Sequence, residues 1–103
     1  MKYTLKGPLK DNVNNLMRKI SYTFQGKDEN QGDLSFIRPA HAYPRFHIYA
    51  KYENDSLFIN LHLDQKRPVY QGVSAHSGEY EGEVVEKEMA RIKQMLESYA
   101  QTE

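Results

Sequence analysis

The stretch Arg45-Phe46-His47-Ile48-Tyr49-Ala50-Lys51-Tyr52-Glu53-Asn54-Asp55-Ser56-Leu57-Phe58-Ile59-Asn60-Leu61-His62-Leu63-Asp64 decides the fold. Its first half alternates, with Phe46, Ile48, Ala50 and Tyr52 on one side and Arg45, His47, Tyr49 and Lys51 on the other. Its second half alternates too: Leu57, Ile59, Leu61 and Leu63 against Phe58, Asn60, His62 and Asp64. A period of two marks a half-buried strand, because successive side chains leave a pleated backbone on opposite faces. Asn54-Asp55 between the halves tolerates the left-handed backbone of a two-residue hairpin turn. That turn fixes the register. Phe46 then faces Leu63, Ile48 faces Leu61, Ala50 faces Ile59 and Tyr52 faces Leu57. A slip of one residue would turn each apolar set away from the core, so burial itself specifies the pairing. The opposite face pairs Arg45 with Asp64, His47 with His62, Tyr49 with Asn60 and Lys51 with Phe58.

Working outward, residues 2–6 alternate around Tyr3 and Leu5 and read as a short strand stopped by Gly7-Pro8. That strand can join the sheet at either edge. Residues 12–24 have helical period, with Val13, Leu16, Met17, Ile20 and Phe24 on one stripe and Asp11 or Asn12 as cap. Residues 25–33 read as a polar loop, and residues 34–38 as a strand. Residues 83–99 form a second helix with Val85, Met89, Ile92, Leu96 and Tyr99 as its stripe. Glu83 and Glu86 favour its start through the helix dipole. Residues 65–82 lack a period and read as a long connection, a length that in compact domains often accompanies function. The expected architecture is α+β: a two-layer sandwich of an antiparallel sheet of three or four strands with two helices on one face, in a single domain over residues 1–103.

Composition narrows the function. The chain has 103 residues, 14 basic and 14 acidic, which argues against generic binding of polyanions. It has no cysteine, so disulfides, thiolate nucleophiles and cysteine zinc sites are excluded. No apolar run follows the first residues, so no signal peptide is expected, and no stretch suits a membrane span. A cytoplasmic location is the default expectation.

Chemistry concentrates on the outward face of the hairpin. The candidate ligand-binding residues are Arg45, His47, Tyr49, Asn60, His62 and Asp64, with His76 in the long connection folding over them. Opposed side chains in an antiparallel pair have Cβ atoms roughly 5 Å apart, so His47 and His62 can share a metal or pass a proton. A stable zinc site takes three or four protein ligands, and His76, Glu79 or Asp64 can complete the set, with His41 more distant. The metal candidates are therefore His47, His62, His76 and Glu79. The plainer reading has two histidines hydrogen-bonded to neighbours, and no zinc signature of the HExxH type is present. Arg45–Asp64 reads as a cross-strand ion pair, or more sharply as Asp64 orienting His62 or Arg45 binding an anionic ligand. The acidic residues around the second helix start suit Mg²⁺ or Ca²⁺ without matching an EF-hand. Ser74 or Ser77 beside His76 lacks the context of a nucleophile elbow. Tyr49 and Phe58 flanked by Arg45 and Lys51 resemble a base-stacking platform, or equally a face that meets a second copy.

The segments Tyr43-Pro44-Arg45-Phe46-His47-Ile48-Tyr49, Asn60-Leu61-His62-Leu63-Asp64-Gln65-Lys66 and Ala75-His76-Ser77-Gly78-Glu79-Tyr80 resemble a group of short prokaryotic proteins to which no activity attaches. The resemblance carries no function across. The leading expectation is a small binding module that uses the open hairpin face and the 65–82 connection for a small ligand or a protein. The alternatives are a metal-dependent or histidine acid–base enzyme, a homodimer through the sheet face, and a binder of single-stranded nucleic acid. No cofactor is expected beyond a divalent metal, and no membrane partner.

Overall fold

The computed structural model describes residues 1–28, 32–65, 78–79 and 82–99, with only the backbone of 78–79. The elements in chain order are β1 (Lys2–Lys6), α1 (Val13–Lys19), β2 (Thr23–Lys27), β3 (Leu34–Arg38), β4 (Arg45–Glu53), β5 (Ser56–Asp64), β6 (Gly78–Glu79) and α2 (Glu83–Tyr99). The sheet is antiparallel, in the order β1-β5-β4-β3-β2, and β6 pairs with β5 alongside that path. The class is α+β as expected, but five full strands replace the three or four read from sequence.

The hairpin register matches the pattern. Phe46 pairs with Leu63, Ile48 with Leu61, Ala50 with Ile59 and Tyr52 with Leu57; on the other face His47 pairs with His62 and Arg45 with Asp64. Asn54 and Asp55 take φ of 52° and 63°, the left-handed pair that a type I′ turn requires. β1 settles against β5, with Tyr3 opposite Ile59 and Leu5 opposite Leu57. Gly7 closes the join, donating its N–H to the Asp55 carbonyl at 2.7 Å.

The additional strand comes from the end of α1. Asn12 caps that helix, its Oδ1 accepting from the Asn15 N–H at 2.8 Å. The helix was expected to run through Phe24 but stops at Lys19. Ser21 adopts φ 77°, the Tyr22 N–H donates to the Met17 carbonyl at 2.9 Å and the Ser21 N–H to the Arg18 carbonyl at 3.0 Å. This is a Schellman closure with serine where glycine is usual. The chain then turns into β2, so residues 23–27, read in part as helix and in part as loop, lie in the sheet. Phe24 packs edge-on to Phe36, with ring centroids 5.5 Å apart. A bulge between Phe24 and Gly26 shifts the β2–β3 register.

One core cluster joins sheet and helices. Leu5, Phe36, Ile48, Leu57 and Leu61 meet Leu16, Met17 and Ile20 of α1 and Val85, Ile92 and Leu96 of α2, all essentially buried. Each such side chain contributes about 1.5–3 kcal/mol on leaving water. Tyr99, expected on the α2 stripe, is exposed. A buried carboxylate was not expected at all. Glu88 of α2 accepts from Arg38 Nη2 at 2.9 Å, from Arg91 Nη2 at 2.8 Å and from Tyr22 Oη at 2.7 Å, and Arg91 also donates to the Ile20 carbonyl at 2.9 Å. This cluster ties α2 to β3 and to the closing turn of α1.

Of the 65–82 connection, residues 66–77 and 80–81 lie outside the described residues, and the expectation for His76 falls there. Gly78–Glu79 forms β6, a strand where none was expected. No helix of the described residues is long and apolar enough to cross a membrane.

Candidate functional site

The site lies on the sheet face opposite the core cluster, where β4 and β5 place residues of one parity. His47 and His62 are cross-strand partners, and Asp64 follows His62 by two positions on the same strand and so on the same face. The two histidines are nearly buried, at 7% and 6% exposure, while Asp64 stays partly open. Beside His47, on β3, sits the buried Ile37.

Asp64 is the hub. Its Oδ2 lies 3.2 Å from His47 Nδ1, its Oδ1 lies 3.0 Å from His62 Nε2, and Arg45 Nε stands 3.6 Å from Oδ2. At that distance Arg45 supplies charge and no hydrogen bond, and its buried Nε makes none elsewhere. The guanidinium instead covers the Tyr43 ring, 4.6 Å from its centroid. One ligand atom from each of His47, His62 and Asp64 falls within 4.8 Å of the others. Tyr49 walls the cluster, its ring centroid 4.4 Å from that of His47 and 5.8 Å from that of His62.

A hydrogen-bonded row continues across the sheet. His47 Nε2 is 2.6 Å from Ser35 Oγ on β3, and Ser35 Oγ donates to Gln25 Oε1 on β2 at 2.9 Å. Gln25, Ser35, His47, Asp64 and His62 therefore form one polar chain spanning four strands. Sequence reading found the last three members and missed the first two. The signal for Ser35 was its position in a strand beside β4, on the same face as His47. The signal for Gln25 was hidden with β2 itself.

Burial sets the electrostatics. It pushes His47 below its ordinary pKa, the neighbouring His62 adds to the shift, and the Asp64 carboxylate opposes it. Burial likewise lowers His62, against the opposing pull of Asp64. Both rings are held neutral at pH 7, the state that can accept a metal ion or a proton.

The order Ser35, His47, Asp64 also has the connectivity of a nucleophile, a base and an orienting carboxylate. Ser35 lies within β3, however, and β3 is paired on both edges, so the neighbouring backbone N–H groups are committed to the ladder. An oxyanion site needs such donors free and convergent. Ser35 is therefore placed to hold His47, not to attack.

The remaining expectations fall out plainly. Tyr49 and Asn60 lie together as cross-strand partners beside the histidines. His41 is exposed outside the cluster. β6 pairs Glu79 opposite Leu63, next to Asp64 in sequence. A cleft of about 350 Å³ adjoins the cluster through Tyr49 and Asn60, with Phe58, Thr4, Lys2 and Lys51 around it. Comparison with protein-family models, with curated proteins and with solved structures found no match to this chain.

Proposed function

We propose that this domain is a small binding module whose ligand occupies the open face of the β4–β5 hairpin. On this reading the molecule is a two-layer sandwich, with both helices covering one sheet face and the other left for recognition. The carrying observation is the convergence of two nearly buried histidines and Asp64 beside the cleft walled by Tyr49 and Asn60. Burying imidazoles costs solvation that an apolar pair would avoid, and perturbed titratable groups at a concavity concentrate at functional sites. Tyr49 and Phe58 offer planar apolar surface. Lys2 and Lys51 offer positive charge against the single carboxylate of Asp33. That lining suits a small, flat, anionic ligand, whose polar end would reach the cluster.

The test is a chemical-shift survey of the full chain against small aromatic carboxylates, mononucleotides and divalent cations. Saturable shifts confined to His47, Tyr49, Asn60 and His62 are expected from at least one of them. A face that none of them moves, on a protein whose mass rises with concentration, would assign the surface to a second copy and end the binding-module reading.

A further inference from the structure

We propose that His47, His62 and Asp64 hold a divalent transition-metal ion of the zinc type, and that Ser35 and Gln25 select the nitrogen of His47 that reaches it. The proposal rests on the reading of the open hairpin face as a binding site and names what that site takes.

The direction of the hydrogen bonds carries the argument. Ser35 has one hydroxyl proton, and it goes to Gln25 Oε1 at 2.9 Å. At 2.6 Å from His47 Nε2, the Ser35 oxygen is then free to accept, and on this proposal the proton of the neutral ring sits on Nε2. The other nitrogen, Nδ1, is left with a lone pair aimed at Asp64 Oδ2, 3.2 Å away. Two acceptors at that separation repel each other unless a cation lies between them. Arg45 does not fill the role, because its Nε stands 3.6 Å from the carboxylate and makes no hydrogen bond. A metal ion does fill it, taking electron pairs from both.

Geometry and ligand type agree. Zinc holds imidazole nitrogen and carboxylate oxygen at roughly 2.0–2.2 Å, which places tetrahedral ligand atoms roughly 3.3 Å from one another. His47 Nδ1 lies 3.2 Å from Asp64 Oδ2 and His62 Nε2 lies 3.0 Å from Asp64 Oδ1, and one ligand atom from each residue falls within 4.8 Å of the others, so the three side chains need to draw together only modestly around a shared ion. Two imidazoles and one carboxylate favour zinc and its neighbours over Mg²⁺ or Ca²⁺, which prefer oxygen. Metal-bound histidines ordinarily donate their second N–H to a partner that fixes the ring, and the Ser35–Gln25 pair stands in that position for His47. His62 contributes Nε2 once its proton moves to Nδ1, with no net change of charge. Three protein ligands leave a further coordination position for water or for an atom of the cleft's ligand.

The experiment titrates the full chain with ZnCl₂, followed by calorimetry and by long-range nitrogen-correlated spectra of the imidazoles. One ion should bind per chain, moving His47 and His62 but not His41, and equal Mg²⁺ should not displace it. The zinc-bound protein should show His47 protonated on Nε2. Ser35→Ala should weaken zinc binding by about 10–100-fold, the cost of losing an outer-shell partner, while Ser35→Thr keeps it. Asp64→Asn, close in shape, should weaken it further. An Nδ1–H His47 in the zinc-bound protein, zinc affinity unmoved by Ser35→Ala, or zinc shifting His41 as strongly as His62 would each overturn the proposal. If zinc binds nowhere but an aromatic carboxylate shifts Tyr49 and Asn60, the metal assignment falls and the binding face stands. If neither acts on that face, both fall.

Discussion

Ser21 shows how one residue can redirect a chain. It closes α1 from the left-handed region, at φ 77°, where a side chain costs about 1–2 kcal/mol that glycine avoids. Ser21→Gly should therefore raise the free energy of unfolding by up to about 1 kcal/mol, once the greater freedom of glycine in the unfolded chain is subtracted. A urea titration that gives no increase would mean that the Ser21 side chain contributes something its backbone does not reveal. Glu88 marks the opposite case, a charge made necessary by its surroundings. Its side chain is 4% exposed and bridges Arg38 and Arg91. Removing one member of a buried ionic cluster costs about 3–5 kcal/mol, and because both arginines keep contact with water, Glu88→Ala should fall near the lower end. The sequence hid this residue for a simple reason. A glutamate on a helix reads as solvated, and only the arrival of β3 and the α1 turn adds Arg38 and Tyr22 to the Arg91 of its own helix.

At the scale of elements, the hairpin was the legible part and β2 the illegible one. Strict alternation on both sides of Asn54-Asp55 left a single register that buries every leucine, and Ile48–Leu61 and His47–His62 are paired as that register demands. β2 carries no comparable signal. Phe24 continues the helical spacing of Val13, Leu16, Met17 and Ile20, and Gln25-Gly26-Lys27 is polar, so local pattern favoured a helix and then a loop. What overrides it is tertiary, since Phe24 can pack on Phe36 only from an extended chain. The candidate site divided the same way. Its hairpin members were readable from the pleat, whereas Gln25 and Ser35 required the order of strands. The join between β1 and the hairpin turn is testable by crowding. A methyl group on Gly7 would come 2.5 Å from the Asp55 carbonyl oxygen, a backbone atom that cannot easily withdraw. Gly7→Ala should lower the denaturation midpoint by an amount equivalent to about 1–3 kcal/mol. An unchanged midpoint would show that the β1 join yields without cost.

For the whole molecule, acid should act in two windows. With a chelator present, His47 and His62 have folded pKa values below their ordinary 6.5, so the unfolded state takes up protons first, and stability falls as pH drops below that value. Burial pushes Glu88 up, but the hydrogen bonds from Arg91, Arg38 and Tyr22 outweigh it and hold the carboxyl below its ordinary 4.5. Its contribution is complete above pH 4.5 and is lost as pH falls through the depressed value. Unfolding measured from pH 8 to pH 3 should therefore steepen twice. Glu88→Gln should remove the lower step and leave the upper one, and a single unbroken slope shared by both proteins would contradict the assignment.

The strand order also has a consequence in time. β1 precedes the other elements along the chain, yet among the described residues it pairs in the sheet with β5 alone, Lys2 opposite Asn60. Between them the chain makes α1, β2, β3 and β4. The hairpin, whose halves are joined by two residues, can close early, since short loops cost little entropy, whereas β1 must remain unpaired until β5 exists to receive it. A chain emerging from the ribosome would carry β1 as an unsatisfied edge until β5 had followed it out, with α2 still to be made.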